Sequence, residues 1–173
     1  VIFLKNNSLP LKNLIEKNIF FEISFKQEKR TFFGIITYIE SLGKFKKEDI
    51  LYDSYKISFS HPLFKLTLTK NSRIFQNKNL KDIISEIFLL NKLQFEKIFN
   101  IIGDFANSKI EYCTQYEESD FDFISRIMEY HGVFYFFEFQ NRKTPPSVII
   151  SNAVNKYISR NQNHEIPMDY GMN

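Results

Sequence analysis

Three segments between residues 19 and 60 carry the pattern that most limits the fold. Ile19–Phe25 (IFFEISF) is short, rich in Phe and Ile, and flanked by polar residues, which reads as a strand. Thr31–Glu40 (TFFGIITYIE) reads as a second strand, so the charged run Lys26–Arg30 between them is expected to form a hairpin loop of about five residues. Ser54–Ser60 (SYKISFS) alternates, placing Tyr55, Ile57 and Phe59 on one face. A period of two belongs to a half-buried strand, because successive Cβ atoms point to opposite sides of a sheet. Gly34 inside the second strand indicates a bulge or a close backbone approach. Leu42–Asp53, with Lys44, Lys46, Lys47, Glu48 and Asp49, reads as a polar loop.

Pro62 then interrupts the strand pattern. Leu63–Thr69 is open to two readings: Pro62 starting a helical turn, or Leu66 and Leu68 alternating in a strand. Beyond it the period changes. Leu80, Ile83, Ile84, Ile87 and Phe88 recur at helical spacing behind Asn79, a residue that can cap, and Asp82 and Glu86 favour the amino end of the macrodipole. A strand is expected over Lys109–Gln115. A second helix is expected from Ser119, with Asp122 three residues on as a relative of the capping box. Phe121, Ile124, Ile127 and Met128 would supply its buried stripe, and Gly132 would take the left-handed residue after its last turn. Val133–Phe139 (VFYFFEF) reads as a covered strand, followed by a loop with Pro145 and Pro146 and a short partner strand Val148–Ser151. From Asn152 the sequence is polar and irregular.

The fold class expected is therefore α+β: an antiparallel, barrel-like sheet with two inserted helices. Residues 1–70 would be the first part of a barrel-like β domain, 71–132 a helical insertion with a connecting strand, and 133–173 return strands and the start of a further segment. The chain opens on Val1 without a methionine or a signal-peptide pattern and stops at Asn173 without a capped element. A piece of a longer protein is the expectation.

Composition excludes several function classes. No apolar run approaches the ~20 residues of a membrane span. A net charge of +3 is too weak to argue for nucleic acid. One cysteine, Cys113, rules out an intramolecular disulfide framework. Phe occurs 20 times, Ile 23, Lys 18 and Asn 16, against two Ala and no Trp. That skew follows A/T-rich codons and predicts a core filled by large rings, without implying an aromatic binding surface.

Catalytic chemistry finds little support. His61, His131 and His164 stand at no metal-ligand spacing, and Cys113 has no neighbour in sequence that would activate it. Glu117, Glu118, Asp120 and Asp122 form the densest acidic cluster. It reads either as a divalent-cation or acid/base site across 117–122, or as the acid-rich start of a capped helix; the cap explains most of it.

The string QYEESDFDFISRIMEYHGVFYFF, Gln115–Phe137, resembles the signature of the VgrG family, the spike proteins of bacterial type VI secretion systems. The matching positions are Gln115, Tyr116, Glu118, Ser119, Asp120, Phe123, Arg126 and Gly132, with Tyr135 and Phe137 in the aromatic strand that follows. SRIFQNKNLKDII (Ser72–Ile84) and FFGIITYIE (Phe32–Glu40) are similar to two further blocks of that family in the same order. Tryptophans of the family near position 62 are replaced here by Leu63 and Phe64.

The resemblance extends to the hubs of contractile phage tails. It implies a non-enzymatic structural role without cofactors. The expected partners are two further copies in a homotrimer, a hexameric tube protein, and tip proteins or effectors held by segments that would follow. It implies assembly in the bacterial cytoplasm, export by the machine itself, and membrane contact only through the assembled spike. It also implies that Ser119 and Asp122 fix the helix start while Arg126 can reach a carboxylate such as Asp122 one turn back. The alternatives are a phage or phage-like tail hub and, in another class, an enzyme or metal-binding domain using residues 117–122.

Overall fold

The computed structural model describes residues 2–5, 10–25, 28–93, 95–103, 106–138 and 145–153. Strand β1 (Ile2–Lys5) precedes a long meander of β2 (Asn18–Phe25), β3 (Glu28–Lys47) and β4 (Ile50–Ser60). These make one antiparallel sheet in the order β1-β4-β3-β2. The five-residue loop expected at Lys26–Arg30 is shorter, because Phe25 already pairs with Glu28. The backbone ladder thus continues into the charged run, where Lys29 and Arg30 pair with Ser24 and Ile23.

The loop expected over Leu42–Asp53 is a larger correction. β3 runs on to Lys47 and β4 begins at Ile50, so this stretch is the distal end of one hairpin. Its turn is Glu48-Asp49, both with positive φ (49° and 61°). Mirror-image two-residue turns need that conformation at both central residues and usually recruit Asn or Gly for it. With Glu and Asp there, the hairpin left no ordinary signal. β3 carries two irregularities in its register with β4, between Ile36 and Tyr38 and between Ser41 and Gly43. Gly34 sits at neither. Its role is close approach: a Cβ there would lie 2.6 Å from Phe59 Cδ2 and 2.8 Å from the Ser60 carbonyl oxygen.

After β4 the chain forms a short 3-10 helix, Pro62–Thr67, so the helical-turn reading of that segment holds and the strand reading does not. His61 caps it, its Nδ1 accepting from the Leu63 amide at 3.2 Å. β5 (Lys70–Lys78) leads into α1 (Leu80–Leu90), whose Asn79 cap accepts from the Asp82 amide at 2.8 Å. β6 (Lys97–Asn100) and β7 (Ile110–Ser119) follow, then α2 (Asp120–Tyr130), β8 (Phe134–Glu138) and β9 (Ser147–Ser151). β5 pairs with β7 in a two-stranded antiparallel sheet. β9 lies between β8, antiparallel, and β6, parallel. The β6–β9 pairing joins residues about fifty positions apart in parallel register, which no local pattern announces.

The main core lies between α1, α2 and the two smaller sheets. Leu66, Ile83, Ile84, Ile87, Phe88, Phe123, Ile124, Val148 and Ile150 are buried in it. α2 turns Phe123, Ile124, Ile127 and Met128 inward. Phe121, placed in that stripe by the helical spacing, is only half-buried and meets Tyr135 edge-on at 6.5 Å, while Phe123, which the family signature places in the core, is fully buried. Two positions apart on a helix differ by about 200°, so Phe121 and Phe123 cannot share a face. The helix ends as expected at Gly132 (φ 62°): the Gly132 amide donates to Glu129 and the Val133 amide to Met128, closing a Schellman motif.

Candidate functional site

The signature residues converge where β7 passes directly into α2. Ser119 holds the junction. Its Oγ accepts from the Asp122 amide at 3.0 Å and its hydroxyl donates to the Asp122 carboxylate at 2.7 Å. The next residue, Asp120, points inward and is 1% exposed. A carboxylate so placed is tolerated only if donors surround it, and here they do. Oδ1 accepts from Arg73 Nη1 at 2.6 Å, Gln115 Nε2 at 2.8 Å and Asn71 Nδ2 at 3.2 Å, and Oδ2 accepts from Asn91 Nδ2 at 2.6 Å. Burial pushes the Asp120 carboxyl upward. The hydrogen bonds from Gln115, Asn91 and Arg73, with the Arg73 charge, outweigh that and hold it below the usual carboxylate range.

Gln115, 0% exposed, links the cluster further. Its Nε2 also donates to the Glu118 carbonyl, and its Oε1 accepts from Arg73 at 3.2 Å. Asn91 also donates to the Ile87 carbonyl at the end of α1. One carboxylate thus joins β5, β7 and both helices. Asn71, Arg73 and Asn91 were not among the residues singled out as site candidates. Arg73 falls in the Ser72–Ile84 block, but Asn71 and Asn91 carry no local signal, because their role appears only once four elements meet.

Arg126 corrects an expectation. It does not reach Asp122, which is engaged with Ser119; it binds both oxygens of Glu118, from Nε at 3.2 Å and from Nη2, and donates to the Thr114 carbonyl at 3.0 Å. Glu118 lies on β7 beside the helix, so a bidentate pair forms across elements in preference to a single contact along one. Tyr116 is exposed on the outer side of β7, and Glu117 adopts φ 48° where the strand bends.

The acidic residues are therefore held individually: Glu118 by Arg126, Asp120 by four donors, Asp122 by Ser119. Among the described residues no three His, Cys, Asp or Glu side chains group in a way that could hold a metal ion. His61 is a packing residue, stacked on Phe137 with ring centroids 3.9 Å apart, and burial lowers its pKa to about 4, partly offset by the Pro146 backbone. Cys113 faces Phe75 across the ladder, and its burial pushes the thiol upward, against the influence of Arg126. His164 lies outside the described residues.

A second region stands out by its surface. Phe3, Phe20, Phe21, Ile23, Tyr38, Leu42, Phe45 and Leu51 of the four-stranded sheet are each between 42% and 54% exposed. They occupy both faces: Phe21 and Ile23 lie with Phe59, while Phe20 and Phe45 lie on the side of Phe33. Phe3 packs on Phe45 at 5.6 Å and Phe21 on Phe59 at 6.1 Å.

Comparisons with known proteins agree with this architecture. The chain is 32% identical over 138 residues to the type VI secretion system spike protein VgrG1c of Pseudomonas aeruginosa, and 32% identical over 139 residues to VgrG1b of the same bacterium. Each alignment covers 80% of this chain but 18% of the relative, so the chain spans about a fifth of the length of those proteins. Among solved structures, the E. coli c3393 protein superposes with a TM-score of 0.71 at 20% identity, covering 91% of this chain and 42% of the other. It is described as a type VI secretion component structurally similar to the T4 bacteriophage tail proteins gp27 and gp5. A chain of the Francisella PdpA-VgrG complex superposes with a TM-score of 0.57 at 18% identity, over 88% of this chain and 24% of that one. The profile of the phage tail baseplate hub (GPD) family matches residues 1–169, almost the whole sequence, and the chain belongs to that family.

Proposed function

We propose that the chain is part of a structural, non-enzymatic hub subunit of a type VI secretion spike. Three copies of the protein would surround a common axis, cap a hexameric inner tube, and carry a puncturing tip or effectors on later segments. The protein would assemble in the bacterial cytoplasm and leave with the spike. No helix among the described residues is long and apolar enough to cross a membrane. The observation that carries this reading is the four-stranded sheet with large apolar side chains exposed on both faces. Monomeric proteins rarely leave contiguous apolar patches of that kind uncovered, and such a sheet suits a subunit whose surface is completed by neighbours.

In the same reading, residues 1–70 begin a barrel-like domain, 71–132 are a helical insertion with a connecting strand, and 133–173 return to the sheet and lead onward. Gln115, Tyr116, Glu118, Ser119, Asp120, Phe123, Arg126 and Gly132 serve as a fold signature: they set the start, face and end of α2 and bind no ligand.

The test is export. In the bacterium that makes the protein, Phe21→Glu should abolish release of tube protein into the medium while the chain still accumulates. Undiminished release would overturn the reading. Loss of tailed particles, with tube release absent in the parent strain as well, would favour the phage-tail hub instead.

A further inference from the structure

Among the described residues, the strand that feeds the signature helix has one unpaired edge. β7 pairs with β5 on one side, and among the described residues no strand pairs with the other. The Thr114 carbonyl accepts from Arg126, a donor outside the β5–β7 ladder, which argues that it faces that open side. Residues two apart in a strand orient their backbone groups alike, so Ile110 and Tyr112 present N–H and C=O groups to the same edge. A carbonyl has two lone pairs, so Thr114 can still accept there.

A groove of about 500 Å³ runs beside this edge, between β7 and the flank of α2. Tyr112 and Tyr130 border it, both well exposed, with Tyr130 at 85%. Its size falls in the range of built binding clefts, roughly 300–1,000 Å³. An open strand edge set against a helix is the geometry that accepts an added strand, where main-chain hydrogen bonds give affinity and alternate side chains give selectivity.

The charge lining the groove narrows the occupant. Among the described residues that line it, Arg126 is the one fully charged residue and His131 the other basic group, and none is a carboxylate; Glu118, which pairs with Arg126, lies outside the lining. Glu118 occupies Nε and Nη2 of Arg126, while Nη1 takes no part in those bonds. We propose that this groove takes an extended segment of a partner protein as a strand added to β7, with an acidic side chain against Arg126 and an apolar one beside Tyr112 and Tyr130. The site lies apart from the four-stranded sheet and does not depend on the spike reading.

The test uses a displayed library of random ten-residue peptides, selected on the 173-residue chain. Enriched peptides are then synthesised and titrated by amide-resolved NMR. Enriched sequences should alternate apolar residues with an acid, and the Tyr112 and Thr114 amides should shift and exchange more slowly with solvent. Replacing the acid by lysine should weaken binding about tenfold, as expected for loss of one charge-assisted contact. Tyr130→Ala, at a site too exposed to disturb the core, should weaken it as well. The proposal is overturned if no sequence enriches, if bound peptides perturb β1 or β2 and leave β7 unchanged, or if the lysine peptide binds equally well.

Discussion

The two halves of the chain bury their apolar residues to very different extents. Around α1 and α2 the inward-facing large side chains are sealed, with Phe88, Phe123 and Ile83 at 1% exposure or less, while Leu89, Leu90 and Tyr130 at the helix ends are exposed. In the four-stranded sheet Phe33, Ile35, Ile36 and Tyr55 are buried, but other residues of the same kinds stand almost half open on both faces. Phe and Ile are abundant in both, so composition does not separate them. The separation comes from geometry: two amphipathic helices cover one region, and among the described residues neither packs extensively on the four-stranded sheet. The helical half holds a sealed core among the described residues, whereas the sheet carries more surface suited to neighbours.

The sharpest break of that contrast is a matched pair of truncations. Phe123→Ala should cost about 3–5 kcal/mol, since the ring is fully buried and stacks on Phe75 at 5.3 Å. Phe121→Ala should cost clearly less, because that ring is half-buried. Denaturant melts of both variants decide it, and a larger loss at Phe121 would reverse the assignment of the helix faces.

Acidification should act next, first through His61. The folded-state pKa of about 4 lies below the ordinary 6.5, so the unfolded chain takes up the proton first. Stability is then full above about pH 6.5 and falls as pH drops toward 4, by up to about 3 kcal/mol. Protonation would also remove the Nδ1 acceptor that caps Pro62–Thr67. Melts across this window should show the loss in the native chain and not in His61→Gln. Asp120 responds in a lower window: its depressed pKa makes its contribution fail as pH falls through and below the ordinary carboxylate value.

Within the open sheet there is one tight point. Gly34→Ala should cost about 1–3 kcal/mol, because the new methyl meets Phe59 and the Ser60 backbone. If the variant melts like the parent, the sheet is looser than its register suggests. Removing the α2 cap by Ser119→Ala should cost ~1 kcal/mol. The smallest change is expected from Phe21→Ser, within about 1 kcal/mol in the isolated chain despite the size of the ring. A large loss there would mean that Phe21 already belongs to a closed core.

The helices were legible in the sequence because both carry local instructions: Asn79 and Ser119 as caps, stripes at helical spacing, and Gly132 as stop. β4 was legible through Tyr55, Ile57 and Phe59. The distal half of the β3–β4 hairpin was not, since Glu48-Asp49 lacks the usual turn residues and the lysines around it mimic a loop. β1 and β6 are each four residues long and gain their identity only from partners far away in sequence. The polar cluster was half legible. Gln115, Ser119 and Asp120 belong to a recognisable string, but Asn71 and Asn91 acquire meaning only in three dimensions, and Arg126 chose a partner on the neighbouring strand over one on its own helix.

The arrangement around Asp120 also bears on how the chain is made. Asn71 and Asp120 are 49 positions apart, and Asn91 and Asp120 are 29 apart. During synthesis, α1 therefore emerges well before the carboxylate that ties its last turn, and before the helix that covers its apolar stripe. Closing so long a loop precedes any return from its contacts, which places this step late in folding. For that interval the nascent chain exposes Ile83, Ile84, Ile87 and Phe88 together, and that stretch is where a ribosome-associated chaperone would find its binding site.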